Sequence, residues 1–417
     1  MPVTVVLDNG AGKVKAGFAG EATPRCEATN GMARSRTVGA SRTLIADQID
    51  TCNDPSGLQY RRALERGCLV NWDTEAQVWG RLLGSEVLKV NPAECSLMLS
   101  EIPMCPTAIQ DTLDEMVFEH FGFESYCTRP APVLASLAVA EEQKQMPPRV
   151  ASLVLDCGFS ATHAVPIFGS TAFNFAIKRL NVGGKMLTNQ LKQVVSYRSY
   201  NVMDETHLVN DVKERLCYVS LDFQSELALS RFKGRKNTLR REYVLPDYVS
   251  STVGTIRDPS APVAAPQADA DGNPPLKKKA VSANDEQALM LSNERICVPE
   301  ILFNPSDIGI EQAGVPEVIV QAVEACIPDV REALYGNIMI TGGCSLFPNF
   351  KERLERELRQ IVPTEFDIGV TAAAAPTLSA WRGGSIFASN DDYPAQVVTK
   401  QEYREEGHAL CRRRFSA

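Results

Sequence analysis

The feature that most constrains this chain is a stretch that occurs twice. Residues 7–20 read LDNGAGKVKAGFAG and residues 154–166 read VLDCGFSATHAVP. Each follows a run of aliphatic and β-branched residues (3–7 and 153–155), ends that run on an aspartate, turns through small residues and enters a second strand-like run. An aspartate at the end of a strand can hold Mg²⁺ through water, and tight glycine turns let backbone N–H groups approach phosphate oxygens. Two such turns facing each other would clamp a nucleotide triphosphate tail from both sides, with Lys15 supplying positive charge. Taken singly, either stretch reads more readily as an ordinary hairpin. The repetition favours phosphate binding and implies two similar halves.

The first stretch resembles the first phosphate loop of actin. KERLCYVSLDF at 213–223 is similar to actin's nucleotide-contacting helix, and WRGGSIFAS (381–389) with TKQEY (399–403) to its last segments. The resemblance runs from residue 3 to the end, interrupted by one insertion. RLNVGGKMLTNQLK (179–192), VMDETHLVNDVKE (202–214), VPEILFNPSDIGI (298–310) and TGGCSLFPNF (341–350) are most similar to the nuclear members of the family that belong to histone-variant-exchanging chromatin remodellers. The fold this implies is α/β and actin-like: two similar α/β domains around a nucleotide cleft, each with a smaller subdomain. Residues 1–150 would form the first domain, with a peripheral subdomain at about 22–73. Residues 151–365 would form the second, and 366–417 would return to the first.

Carried over position by position, the resemblance implies ATP or ADP with Mg²⁺, held by Asp8, Gly10, Ala11, Gly12, Lys15, Asp156, Gly158, Phe159, Ser160, His163, Lys213, Glu214, Gly342, Gly343 and Leu346. Asp8 and Asp156 would reach the metal through water, and Lys213 and Glu214 the adenine and ribose. Without the resemblance, Lys213 and Glu214 read as a solvated charged pair. The glycine pair at 342–343, between a strand at 338–340 and a helix at 349–361, would let a flat base lie against bare backbone.

The catalytic apparatus departs from actin. The glutamine that orients attacking water there falls on Ala131 in RPAPVLASLA, leaving His163 without its partner. Ala11 replaces a serine and Phe159 an aspartate; the Phe159 ring would either crowd the terminal phosphate or point away. Binding is therefore expected without appreciable turnover, and no residue is assigned a catalytic role.

Composition narrows the alternatives. Among 417 residues the formal net charge is −8, which argues against a surface devoted to nucleic acid. The twelve cysteines include no C-x-x-C pair and several lie in apolar runs, as suits reduced thiols in cytosol or nucleus. No basic leader precedes the first strand and no stretch approaches the ~18 apolar residues of a membrane span, so a soluble intracellular protein is expected.

Along the chain, residues 21–73 carry little periodicity, and the stretch matching actin's partner-binding loop, 40–56, is short and polar. Helical spacing marks 76–83, 109–121, 187–197 and, through Val209, Val212, Leu216, Val219 and Phe223, one further helix. A strand is expected at 96–99. Residues 250–292, which include PSAPVAAPQADADGNPPLKKKA, are too rich in Pro, Ala and Asp to bury a core and read as a mobile insertion. Within them Lys277–Lys279 would serve as a nuclear localisation signal or a DNA-touching tip, and reads more readily as a solvated charge run.

Three functions compete. A nuclear, non-catalytic subunit of a remodeller would bind the remodeller's ATPase subunit and zinc-finger HIT subunit, reach chromatin indirectly, and form no filament or homo-oligomer. A polymerising ATPase would need the lost glutamine, a full partner loop and an apolar plug where the insertion lies. A sugar kinase of the wider fold would need an Asp base beside a sugar cleft, for which the chain offers no stretch. The first is favoured, with the nucleus as its compartment and the cytoplasm as a second.

Overall fold

The structure, a computed structural model, describes residues 2–34, 43–144, 150–232, 234–248, 251–259 and 287–415. Both repeated stretches are antiparallel hairpins whose first strand ends at the aspartate. In the first, β1 (Val3–Asn9) pairs with β2 (Lys13–Phe18) so that Asp8 lies opposite Lys15. β3 (Cys26–Thr29) continues the sheet beyond β2, while β4 (Cys95–Glu101) and β5 (Ser125–Pro130) add in parallel beyond β1, with Val398–Thr399 on the far edge.

The second hairpin repeats this plan. β6 (Ala151–Cys157) pairs with β7 (Thr162–Phe168), setting Asp156 opposite His163. β8 (Lys178–Leu180) extends the sheet beyond β7, and β9 (Ile338–Thr341) and β10 (Val370–Ala372) add in parallel beyond β6. The two halves implied by the sequence repeat are thus two sheets with the same strand order around the same kind of turn.

Period-two burial explains how the sheets pack. Val5, Leu7, Leu97 and Leu99 face one way, toward Trp79, Leu82, Val117 and Phe118 of the helices beneath. Val6 and Met98 face the other way, toward Leu134 and Trp381. The helix Ala131–Glu142 is buried at every position from Pro132 to Ala140. An all-round apolar helix must be covered on all sides: Leu134 belongs to the first sheet's cluster, while Val133 and Val139 pack with Val154, Val165 and Met339 of the second. The helix Ser379–Ala388 lies across it, with Gly383 against the backbone of Leu134.

The chain divides into two compact units, one of Met1–Cys52, Gly57–Leu187 and Ile301–Ala417, the other of Asn53–Ser56 and Thr188–Glu300. Both sheets belong to the first. The second holds the helices Thr206–Leu216 and Phe223–Ser230 and a three-stranded sheet in which Arg241–Val244 pairs with Thr255–Arg257 on one side and Ala288–Leu291 on the other.

Two expectations are corrected here. The helix read through Phe223 stops at Leu216, because the Tyr218 N–H is taken by the Arg295 carbonyl (3.0 Å) and a new helix begins at Phe223, capped by the Asp222 side chain on the Ser225 N–H (3.2 Å). The insertion read as structureless over 250–292 has strands at both ends, where Leu289 and Leu291 are buried against the unit's core. Residues 260–286, with Lys277–Lys279, lie outside the described residues, as do 40–42 of the polar loop. Among the described residues no helix is long and apolar enough to cross a membrane.

Candidate nucleotide site

The site's first turn is built on the pairing of three strands. Because β1 runs antiparallel to β2 and parallel to β4, Asp8 has Lys15 on one side and Ser100 on the other. Lys15 Nζ lies 2.9 Å from Asp8 Oδ2, and Ser100 Oγ donates to Asp8 Oδ1 at 2.5 Å while accepting the Asn9 N–H at 3.1 Å. Ser100 carries no motif in the sequence; the signal that finds it is the parallel register of β1 and β4. The carbonyls of the turn are held from behind. Asn30 Nδ2 donates to Gly10 O (3.1 Å) and to Asn9 Oδ1 (2.9 Å). Arg62 Nη1 donates to Gly12 O (3.0 Å) and Ala11 O (3.4 Å).

The second turn is held in the same way, by a helix. Gly158 O accepts from the Gly184 N–H (3.1 Å) and Phe159 O from the Lys185 N–H (2.9 Å), at the start of the helix Gly184–Arg198. Since the C=O and N–H of a trans peptide point oppositely, these bonds turn the N–H groups of Phe159 and Ser160 away from the helix. Gly183 is required there, because a Cβ would lie 2.7 Å from both Phe159 O and Ala161 N. Phe159 neither points away from the first turn nor stands clear of it: its ring rests on Gly12, where an added Cβ would come within 2.9 Å of Phe159 Cγ, and the Arg62 guanidinium lies 4.7 Å above its centroid.

Asp156 completes the pair of carboxylates. Burial, and then the negative charge of Asp8, push its pKa up to about 6, with Lys15 opposing. A buried carboxylate whose charge is disfavoured by a second one nearby makes a seat for a cation. That donor set, and the outward-turned N–H groups, fit Mg²⁺ with a polyphosphate. His163, opposite Asp156, is held neutral: burial, then Arg179, lower its pKa to about 4, and its Nε2 is buried without a partner. A neutral imidazole can orient water but not donate a proton from a charged ring. Ala131, where the resemblance to actin places the water-orienting glutamine, opens the buried helix Ala131–Glu142 with only a methyl side chain.

The turn after β9 meets the second loop. Gly342 has φ 87° and ψ 159°, and a Cβ there would lie 2.4 Å from Cys157 O and 2.8 Å from Asp156 Oδ1. Gly343 and Leu346 bound the short turn that follows, with Leu346 exposed. Lys213 and Glu214 lie in the other unit, where they are linked by one amide: Lys213 Nζ donates to Asn210 Oδ1 (2.9 Å) and Thr188 Oγ1 (3.0 Å), and Asn210 Nδ2 donates to Glu214 Oε1 (2.7 Å). Lys213 is buried, which a solvated pair would not be.

The raised pKa of Asp156 gives a signed prediction. Below pH 3.8, its ordinary value, folded and unfolded states both carry the proton. As pH rises toward about 6 the folded state keeps a proton the unfolded state has lost, so stability falls; above about 6 the penalty is complete. Asp156→Asn is expected to stabilise the ligand-free protein at pH 7.5 by roughly 1–3 kcal/mol, and to abolish the Mg²⁺-dependent part of nucleotide affinity. Urea unfolding at pH 5 and 7.5 measures the first effect, and a variant no more stable than its parent at pH 7.5 refutes it.

Paired strand–Asp–turn hairpins on two similar sheets, with a glycine turn beyond the second, are the architecture of the actin class. The family model described as Actin matches residues 2–416, and the chain belongs to the actin family. It is 43% identical to a protein named Actin-related protein 6 from Oryza sativa subsp. indica, over 99% of this chain and 98% of that one. A protein of the same name from Arabidopsis thaliana is 43% identical over 99% of both chains, and one from Drosophila melanogaster is 34% identical over 97% of both.

Proposed function

We propose that this chain is a nucleotide-binding, non-catalytic actin-related subunit of a chromatin remodeller that exchanges a histone variant, working in the nucleus as a platform for other subunits. The observation that carries the nucleotide half is the Asp8–Asp156 pair between two turns whose N–H groups are held outward, combined with Ala131 where hydrolysis needs an amide. Mg²⁺ with ATP or ADP would supply charge neutralisation there. The chain's own contribution is to orient the two turns, keep His163 neutral and bring the charge of Asp8 to bear on Asp156. Ligand that binds the folded state alone stabilises it in proportion to the logarithm of its concentration over Kd, so the nucleotide serves as a structural element.

The platform half rests on full-length similarity to proteins named Actin-related protein 6 and on what the peripheral sheet does with its apolar residues. In the described part of the polar loop, Leu44 and Ile49 turn inward onto Ala33 and Leu58. Apolar area folded inward is not available for a filament contact, and at ~25 cal/mol per Å² a few hundred Å² is worth several kcal/mol per interface. The ATPase and zinc-finger HIT subunits of the remodeller are the proposed partners.

Three measurements test this. Sedimentation at high concentration with Mg-ATP and salt should leave the protein in the supernatant, and single-turnover hydrolysis should be far slower than that of filamentous actin. Pelleted fibres would revive the polymerising reading. A nuclear pull-down that recovers no remodeller subunit would remove the assignment.

A further inference from the structure

Arg62 stands just after the strand Gln59–Arg61 of the peripheral sheet, outside both repeated motifs, yet its guanidinium is engaged by both turns. Nη1 donates to Gly12 O (3.0 Å), Ala11 O (3.4 Å) and Asn30 O (3.4 Å), and Cζ lies 4.7 Å from the Phe159 centroid and 5.5 Å from that of Tyr60. Asn30, fully buried, adds Nδ2 on Gly10 O (3.1 Å) and its own N–H on Gly12 O (3.1 Å). Three successive carbonyls of the first turn are therefore held by two residues from outside it.

In a trans peptide the N–H of residue i+1 points opposite to the carbonyl of residue i. Holding Gly10 O and Ala11 O fixes where the N–H groups of Ala11 and Gly12 aim, away from Asn30 and Arg62. Adjacent outward N–H groups form a concavity of partial positive charge that accepts an anion. Without these anchors a Gly-Ala-Gly turn has many accessible backbone states, and the anion would have to select the competent one at the expense of affinity. The Phe159 ring, set against both Arg62 and Gly12, extends the same constraint to the second turn.

We propose that Arg62, together with Asn30, is a positioning residue for the phosphate tail, presetting the N–H groups of the first turn and tying that turn to Phe159 of the second. The proposal rests on the nucleotide-binding reading above. It predicts that removing Arg62 weakens the part of affinity contributed by phosphates and leaves the part contributed by adenosine.

The test uses the full chain and isothermal titration with Mg-ATP, Mg-ADP and adenosine, the last by competition if needed. Arg62→Ala should weaken both phosphorylated ligands about ten-fold or more, the size of losing hydrogen bonds from a charged donor that orient a site, while adenosine affinity changes less than about two-fold. Arg62→Lys, which restores a cation but neither the fork nor the stacking face, should recover part of the loss. Asn30→Ala should reproduce it. Unchanged ATP and ADP affinity in Arg62→Ala, or equal weakening of all three ligands, would overturn the proposal, the second outcome because a merely structural role lowers every affinity alike. Should Arg62→Ala not fold, the same ratios are read from Arg62→Lys and Asn30→Ala. A parent chain that binds none of the three ligands would instead overturn the nucleotide reading itself, and this inference with it.

Discussion

Gly383→Ala is expected to destabilise the protein by about 3 kcal/mol or more, beyond the 1–3 kcal/mol usual for overpacking a core. The helix Ser379–Ala388 crosses the helix Ala131–Glu142 with no side chain between them at this point. A Cβ on Gly383 would lie 1.7 Å from Leu134 O, 2.4 Å from its carbonyl carbon and 3.0 Å from its Cα. All three are backbone atoms of a helix buried on every side, so relief requires the helices to part. Parting them disturbs both sheets, because Leu134 packs with Val6 and Met98 of the first while Val133 and Val139 pack on the second.

The neighbouring residue is the control. A Cβ on Gly384 would meet Val6 Cγ1 at 3.1 Å and Leu134 Cδ1 at 3.7 Å, both side-chain atoms that can shift. Intrinsic helix propensity favours alanine over glycine by about 1 kcal/mol at either position, so Gly384→Ala should be close to neutral. Denaturant midpoints for the two variants decide the matter. Equal midpoints would mean that the bare crossing does not hold the halves together.

Gly342→Ala is expected to remove nucleotide binding and to lower stability together. Its φ of 87° and ψ of 159° belong to a region that side-chain-bearing residues essentially avoid, and the added methyl would press on Cys157 O at 2.4 Å and Asp156 Oδ1 at 2.8 Å. Strain of this kind costs of the order of 1–3 kcal/mol, and the displaced groups are those that place Asp156 and the second turn. A loss of ADP affinity of about 100-fold corresponds to roughly 2.7 kcal/mol, which misplacement of both would account for. Gly343→Ala separates the two effects. Its backbone is unremarkable and the nearest atom to a new Cβ is Thr377 Cγ2 at 3.8 Å, so stability should change by less than about 0.5 kcal/mol. Thermal unfolding and ADP titration on both variants provide the measurement; a Gly342→Ala protein that binds ADP like its parent would exclude the turn from the site.

Much of this was legible in the sequence because it is local. The Asp-turn-strand repeat at 7–20 and 154–166 predicted two hairpins and two similar halves, and both sheets are ordered around them. The strand at 338–340 and the helix at 349–361 lie within a residue of the observed Ile338–Thr341 and Phe350–Ile361, since a short apolar run and a helical period are set by neighbours in the chain. The same reasoning failed where a tertiary bond competed with the period. Val212, Leu216, Val219 and Phe223 hold helical spacing, but the Arg295 carbonyl takes the Tyr218 N–H and the helix ends. It failed again at 288–291, where a four-residue strand adjoins a stretch of opposite composition.

What the sequence by itself determined was the two aspartates, the glycine turns behind them and membership of an α/β class built on an internal repeat. These are statements about residue type at fixed spacing, and the backbone geometry each demands is nearly independent of the remainder of the chain. Only the tertiary structure decided what surrounds them. Ser100 reaches Asp8 because β4 runs parallel to β1, and Arg62 reaches Gly12 and Phe159 across 50 and 97 residues of chain, spacings that no periodicity marks. The pKa of Asp156 follows likewise from burial and from a carboxylate 148 positions earlier, because desolvation and Coulomb repulsion act through space and are blind to sequence separation.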